Sequence, residues 1–168
     1  MSVFETERLV MRPWREDDAE SLYKYASDPD VGPAAGWPVH TSVEDSLRVL
    51  REVLIEDKTW AVTIKPSDEP VGSIGVFRTD APNGNGAPEI GYWIGKPFWG
   101  CGYIPEAVRA LIDRCFNDGA ESVWCSHFAG NDKSRRVIEK CGFTYLRDRE
   151  VSTPAGKFHA LLYAKMRP

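Results

Sequence analysis

Between Glu89 and Ala107 the chain reads EIGYWIGKPFWGCGYIPEA: a strand-like run, a loop carrying Gly100 and Gly102, and the onset of an apolar stripe with helical period. A strand that runs into a glycine loop and then a helix puts that loop at the carboxyl end of a strand, the usual ligand position in an open sheet. Glycine accepts positive φ and lets consecutive main-chain N–H groups converge on one anion. Pro105 suits the first helical turn, where a missing N–H costs nothing. The unsatisfied donors and dipole of that helix start favour a pyrophosphate. Taken alone, the loop also reads as an ordinary turn. Pro105 stands where a G-x-G-x-x-G fingerprint has its third glycine, and the Lys-Ser/Thr end of a P-loop is missing.

The remaining elements follow from periodicity and breakers. Arg8 to Trp14 is expected to be a strand closed by Pro13. Glu16 to Asp18 start a helix that carries Ala19, Leu22 and Ala26 and ends at Asp28-Pro29. Val31 to His40, with two prolines and two glycines, is expected to be an irregular loop. Thr41 and Glu44 match a capping box ahead of a helix bearing Val43, Leu47, Leu50 and Leu54. Thr59–Ile64 and Val71–Thr79 read as a hairpin, and APNGNGAP as a long loop before the strand at Glu89–Ile94. A helix through Val108, Leu111, Ile112 and Cys115 stops near Asp118-Gly119. The strand Ser122–His127 then leads to a helix capped by Asp132 and stopped by Gly142. Phe143–Arg149 and Lys157–Lys165 are strands around the turn Thr153–Gly156. Seven strands and four helices in this order imply a mixed sheet covered by helices, with the strands flanking the third helix parallel.

With 168 residues, 42% of them hydrophobic and 27% charged, the chain is expected to form one domain over residues 1–168. No apolar run is long enough for a membrane helix, and the acidic start MSVFETERLV does not match a signal peptide, so a soluble cytoplasmic protein is expected. Cys101, Cys115, Cys125 and Cys141 are spaced by 14, 10 and 16 residues, without a C-x-x-C pair, and His40, His127 and His159 lie far apart. Free thiols and no metal are expected. A net charge of -4 argues against a nucleic-acid partner and suits a cationic substrate.

Four motifs stand in order: T-E-R-L-x-x-R-P (Thr6 to Pro13), E-I-G-Y-W-I (Glu89 to Ile94), W-G-x-G-Y-x-x-E-A (Trp99 to Ala107) and N-x-x-S-x-x-x-x-E-K-x-G-F (Asn131 to Phe143). Together they resemble the GNAT N-acetyltransferases, and among those the RimJ/RimL-like branch, over nearly the whole chain. The family's pyrophosphate signature begins with Gln or Arg and ends with Gly or Ala, where this chain has Trp99 and Ile104.

The resemblance implies an α+β fold, mostly antiparallel, whose sheet splays between Glu89–Ile94 and Ser122–His127 to admit acetyl-CoA. By the same resemblance, main-chain groups of Trp93 and Ile94 pair with the pantetheine arm, and the segment Trp99, Gly100, Cys101, Gly102, Tyr103 and Ile104 holds the pyrophosphate. Asn131 bonds the pantetheine, Arg135 or Lys133 adds charge, Ser134 protonates the thiolate and Glu89 is the base. Each role has a plainer counterpart: Ser134 as a helix-start residue, Glu89 as a salt-bridged carboxylate, and Trp14 and Trp37 as core instead of acceptor wall. Some RimL-like members carry a second glutamate where this chain has Val151, beside Glu150. The implied reaction is direct acetyl transfer from acetyl-CoA to a primary amine, either a protein N-terminus or a small molecule. Homodimers are frequent in the branch. The alternative is a silent CoA-binding sensor of the same fold, against which the retained Asn131, Ser134 and both loop glycines argue. A doubly wound nucleotide enzyme requires a G-x-G-x-x-G loop near the N-terminus, and none is present.

Overall fold

The computed structural model describes residues 2–55 and 59–168. Eight strands form a single sheet: β1 (Phe4–Glu5), β2 (Leu9–Pro13), β3 (Trp60–Ile64), β4 (Pro70–Arg78), β5 (Pro88–Ile94), β6 (Ser122–Phe128), β7 (Thr144–Thr153) and β8 (Gly156–Met166). Their spatial order is β1-β2-β3-β4-β5-β6-β8-β7, with every neighbouring pair antiparallel except β5 and β6. Five helices accompany them: α1 (Ala19–Ala26), α2 (Gly32–Ala35), α3 (Val43–Val49), α4 (Tyr103–Asn117) and α5 (Asp132–Lys140).

The two sheet faces are covered differently. Ile90 and Ile94 of β5 pack with Ile104, Val108, Leu111 and Ile112 of α4 and Ile138 of α5, all nearly or fully buried. On the opposite face Trp14, Ala19, Leu22, Ala26, Leu50 and Ala61 form a second cluster beneath α1 and α3. A bidentate pair joins β2 to the start of α1: Arg12 Nη1 and Nη2 each donate to Asp18 at 2.8 Å, with side chains only 4% and 7% exposed.

The expected pattern needs local corrections. An eighth strand exists because Phe4–Glu5 pairs with Val10–Met11, a ladder too short to leave a periodic signature. Val31–His40 is not wholly irregular: GPAA forms α2, with Pro33 in its first turn and Gly36 ending it at φ 89°. Thr41 does not cap α3. Ser42 does, accepting from the Asp45 N–H at 3.0 Å, while Asp45 accepts from the Thr41 N–H at 3.1 Å, so the cap lies one residue later than Thr41. α3 continues through Leu54 as a π-helical turn. Asn131, not Asp132, caps α5 through the Ser134 N–H at 3.1 Å. β7 extends past Arg149 to Thr153, because its pairing with β8 runs to the two-residue turn at Pro154-Ala155.

Candidate active site

β5 and β6 pair at Glu89↔Trp124 and Ile90↔Cys125. Past these two pairs they part, although β5 stays registered with β4 through Gly72↔Ile94 and β6 with β8 through Phe128↔Ala160. Each half of the sheet is intact, so the opening is a wedge built between two complete ladders. β5 and β6 are parallel and joined through α4, so the Gly100–Gly102 loop follows the carboxyl end of β5, at the wide end of the wedge.

In that loop Gly100 (φ 77°) and Gly102 (φ 80°) take the left-handed conformation, Gly102 as the residue before the first turn of α4. A Cβ on Gly100 would meet nothing within 4 Å, whereas one on Gly102 would point toward Arg8 Nη2 at 3.4 Å. The position next to open space is therefore Gly100. The main-chain N–H groups of Gly100, Cys101, Gly102, Tyr103 and Ile104 donate to no acceptor among the described residues. Five successive unpaired donors at a helix start make an anion cradle. Among the described residues no group of three or more potential ligands could hold a metal ion.

The opening motif supports this cradle, a contact that sequence reading missed. Glu106 accepts from Thr6 Oγ1 at 2.5 Å, Arg8 N at 2.9 Å and Arg8 Nε at 2.6 Å. Arg8 Nη1 then donates to the Cys101 carbonyl at 3.0 Å, and the guanidinium lies 4.6 Å from the Tyr103 ring centroid. Burial pushes the Glu106 carboxyl up, but the bonds from Thr6 and Arg8 outweigh it and hold the group below its ordinary value. The signal was available in T-E-R and in W-G-x-G-Y-x-x-E, but their juxtaposition spans nearly a hundred residues.

Trp99 faces inward from the same loop. Its Nε1 donates to the Ile94 carbonyl at 3.0 Å, and Lys133 Nζ sits 3.6 Å from its ring centroid, so the loop is tied both to the end of β5 and to the first turn of α5. Cys101 is exposed, and the Ile104 side chain is core. Asn131 uses its side chain to cap α5 and to donate to the Ala34 carbonyl at 3.3 Å. Arg135 pairs with Asp132 at 3.3 Å and remains substantially exposed. Ser134 lies 2.8 Å from the hydroxyl of Tyr92, a residue that strand periodicity alone does not distinguish from core.

Glu89 points to the opposite face, as alternation along β5 requires. Its Oε1 accepts from Ser126 Oγ at 3.0 Å and from Arg149 Nη2 at 2.9 Å, and its side chain is 13% exposed. Arg149 also pairs with Asp80 at 2.7 Å. Oε2 of Glu89 has no partner among the described residues. Further along this face Trp93 stacks on Trp14 at 6.4 Å and meets Trp37 edge-on at 5.5 Å, with His40 5.2 Å from Trp37. Trp14 is buried while Trp37 and Trp93 are partly open. The sheet thus places Glu89 and Ser134 on opposite faces, joined through the wedge.

Comparison with known proteins decides the family. A family model described as an acetyltransferase (GNAT) domain matches residues 8–144. The chain belongs to the GNAT acetyltransferase family. It is similar to an uncharacterized N-acetyltransferase p20 of Bacillus licheniformis, 34% identical over 121 residues, covering 69% of this chain and 67% of the relative. The ribosomal-protein-serine acetyltransferase of Escherichia coli is 27% identical over 124 residues, covering 71% of this chain and 61% of the relative. In fold, a GNAT-family acetyltransferase from Bacillus anthracis superposes with a TM-score of 0.82 at 23% identity, covering 98% of each chain. The chain is an acyltransferase that moves an acetyl group from acetyl-CoA to an amine. The five free N–H groups at Gly100–Ile104 fit the diphosphate of that donor. No helix among the described residues is long and apolar enough to cross a membrane.

Proposed function

We propose that the acceptor is an α-amine, as at a protein N-terminus, and that the transfer is direct, with donor and acceptor meeting in the wedge between β5 and β6. The observation that carries the cofactor half of this reading is the run of unpaired N–H groups from Gly100 to Ile104, braced by Arg8 and Glu106. These donors hold the pyrophosphate, the open edge of β5 at Trp93 and Ile94 pairs with the amide-bearing arm, and Lys133 and Arg135 supply nearby positive charge. Asn131 keeps the first turn of α5 in place, and its amide is within the same region.

Glu89 Oε2 takes the amine proton, and Ser134 returns a proton to the departing thiolate from the other face. The α-amine follows from base strength. An α-amine with a reference pKa near 8 loses its proton readily and makes a modest demand on any base, whereas a lysine near 10.4 is almost wholly charged at neutral pH. The partly open rings of Trp37 and Trp93 line the approach on the Glu89 side. The names of relatives that act on ribosomal proteins support a protein acceptor and a cytoplasmic site of action.

An acceptor screen tests this reading: release of free thiol from acetyl-CoA is followed with peptides bearing a free α-amine, with polyamines and with lysine side-chain amines. The α-amine peptides should turn over fastest. Saturable CoA binding with no thiol release from any amine would identify a sensor instead. Ser134→Ala should lower kcat about 10- to 100-fold, in the range for loss of a positioned acid, with little change in KM for acetyl-CoA. Steady-state kinetics on the best peptide gives the answer, and an unchanged kcat removes Ser134 from the chemistry.

A further inference from the structure

Ser134 sits in the first turn of α5, and its side chain meets Tyr92, which β5 delivers on the helix-covered face. The Tyr92 hydroxyl lies 2.8 Å from Ser134 Oγ and 3.3 Å from the Ser134 carbonyl oxygen. A serine hydroxyl turns freely about its C–O bond, so its neighbours decide where the proton points. Two arrangements satisfy these distances. In the first, Tyr92 donates to the carbonyl and accepts the serine proton, which then points away from the wedge. In the second, Tyr92 donates to Oγ across the shorter contact, and the serine proton is free to turn into the gap between β5 and β6.

The phenol is equipped to be a permanent donor. Desolvation holds it well above its ordinary pKa, and the neighbouring thiols Cys125 and Cys141 act in the same direction against the Ser134 bond, so it stays protonated across the neutral range. The backbone of Ser134 is held in place, its N–H by Asn131 and its carbonyl by Tyr92. As negative charge grows on Oγ, a donor already aligned on that oxygen gains strength without reorganising.

We propose that Tyr92 is the positioning residue for Ser134: its O–H donates to Oγ, aims the serine proton into the wedge and stabilises the oxygen while that proton leaves. The proposal rests on the reading of Ser134 as the acid. In that step the thioester C–S bond breaks, its electron pair stays on sulfur, and the proton from Ser134 Oγ forms the S–H bond. Water at the mouth of the wedge restores the serine proton, and the proton taken by Glu89 returns to solvent on the other face, so the net change is amine plus thioester to amide plus thiol.

The test is a double-mutant cycle on the first α-amine peptide that turns over, measuring kcat, KM for acetyl-CoA and thermal midpoint for wild type, Tyr92→Phe, Ser134→Ala and the double variant. Tyr92→Phe should lower kcat about tenfold with KM for acetyl-CoA within about twofold, and the double variant should turn over as slowly as Ser134→Ala and no slower. The proposal is overturned by a Tyr92→Phe enzyme with wild-type kcat. It is also overturned if the second substitution costs a further tenfold in the Ser134→Ala background, which would make Tyr92 independent of Ser134. A loss that appears in KM or in thermal stability, with kcat intact, assigns Tyr92 to the packing of α5 and overturns it as well. Ser134→Ala at full turnover, or no turnover with any amine, removes the acid reading itself and this inference with it, whereas an impaired Ser134→Ala beside an intact Tyr92→Phe removes Tyr92 alone.

Discussion

Gly102→Val should weaken acetyl-CoA binding on the order of 100-fold while the fold survives. Gly102 has φ 80° immediately before α4, a conformation that costs a β-branched residue about 1–3 kcal/mol. The chain can relieve that strain only by rotating the backbone that presents the N–H groups of Gly100 to Ile104. Its Cβ would also stand 3.4 Å from Arg8 Nη2, so the valine methyl groups displace the guanidinium that braces the Cys101 carbonyl. Direct intrusion of a side chain on the phosphates is a different effect. The geometry assigns that direct intrusion to Gly100, whose Cβ faces open space, and makes Gly102→Val a distortion of the cradle. Two hydrogen bonds to a charged group, at about 1.5–3 kcal/mol each, suffice for a 100-fold loss. Titration calorimetry with CoA, beside far-ultraviolet circular dichroism, measures it. Wild-type affinity in a folded variant would refute the assignment of the loop.

Glu89→Gln should reduce kcat about 100-fold near neutral pH, the lower end of the range for removal of a general base. The amide preserves volume and can still accept from Ser126, but it has no charge for Arg149 and cannot take a proton from the amine. The sign of the pH dependence follows from the acceptor. Above an α-amine pKa near 8 the nucleophile is already neutral, so the deficit relative to wild type should shrink as pH rises. KM for acetyl-CoA should stay constant, because Glu89 lies on the face away from α4 and α5. A pH–rate profile in which wild type and variant run parallel would strike Glu89 from the mechanism and leave it as the partner of Arg149.

The long elements were legible because their patterns are local. The steps of four, three and four from Val43 to Leu54, the alternation of β3 and β4 and the Gly stop after α5 each contain their own signal. β1 has only two residues and α2 only four, too few for any period to register. The cap of α3 slipped by one residue because Thr41, Ser42, Glu44 and Asp45 offer two overlapping boxes, and only the backbone conformation of Ser42 selects between them. In the site, glycine spacing announced the cradle. Tyr92 and Arg149 stayed hidden because their partners lie 42 and 60 residues away, and nothing in a strand tyrosine or a strand arginine says which helix or carboxylate will face it.

Glu89 and Ser134 stand on opposite faces of the sheet, so the proposed roles of base and acid would give the molecule two doorways. An amine entering on one side and a spent carrier leaving on the other do not obstruct each other. An acceptor far bulkier than the opening needs to offer only its tip, and a fresh donor can dock while the modified tip is still withdrawing. For the proposed acceptor, the end of a folded polypeptide, such an arrangement would let turnover depend on how fast each door clears, not on the order in which they open.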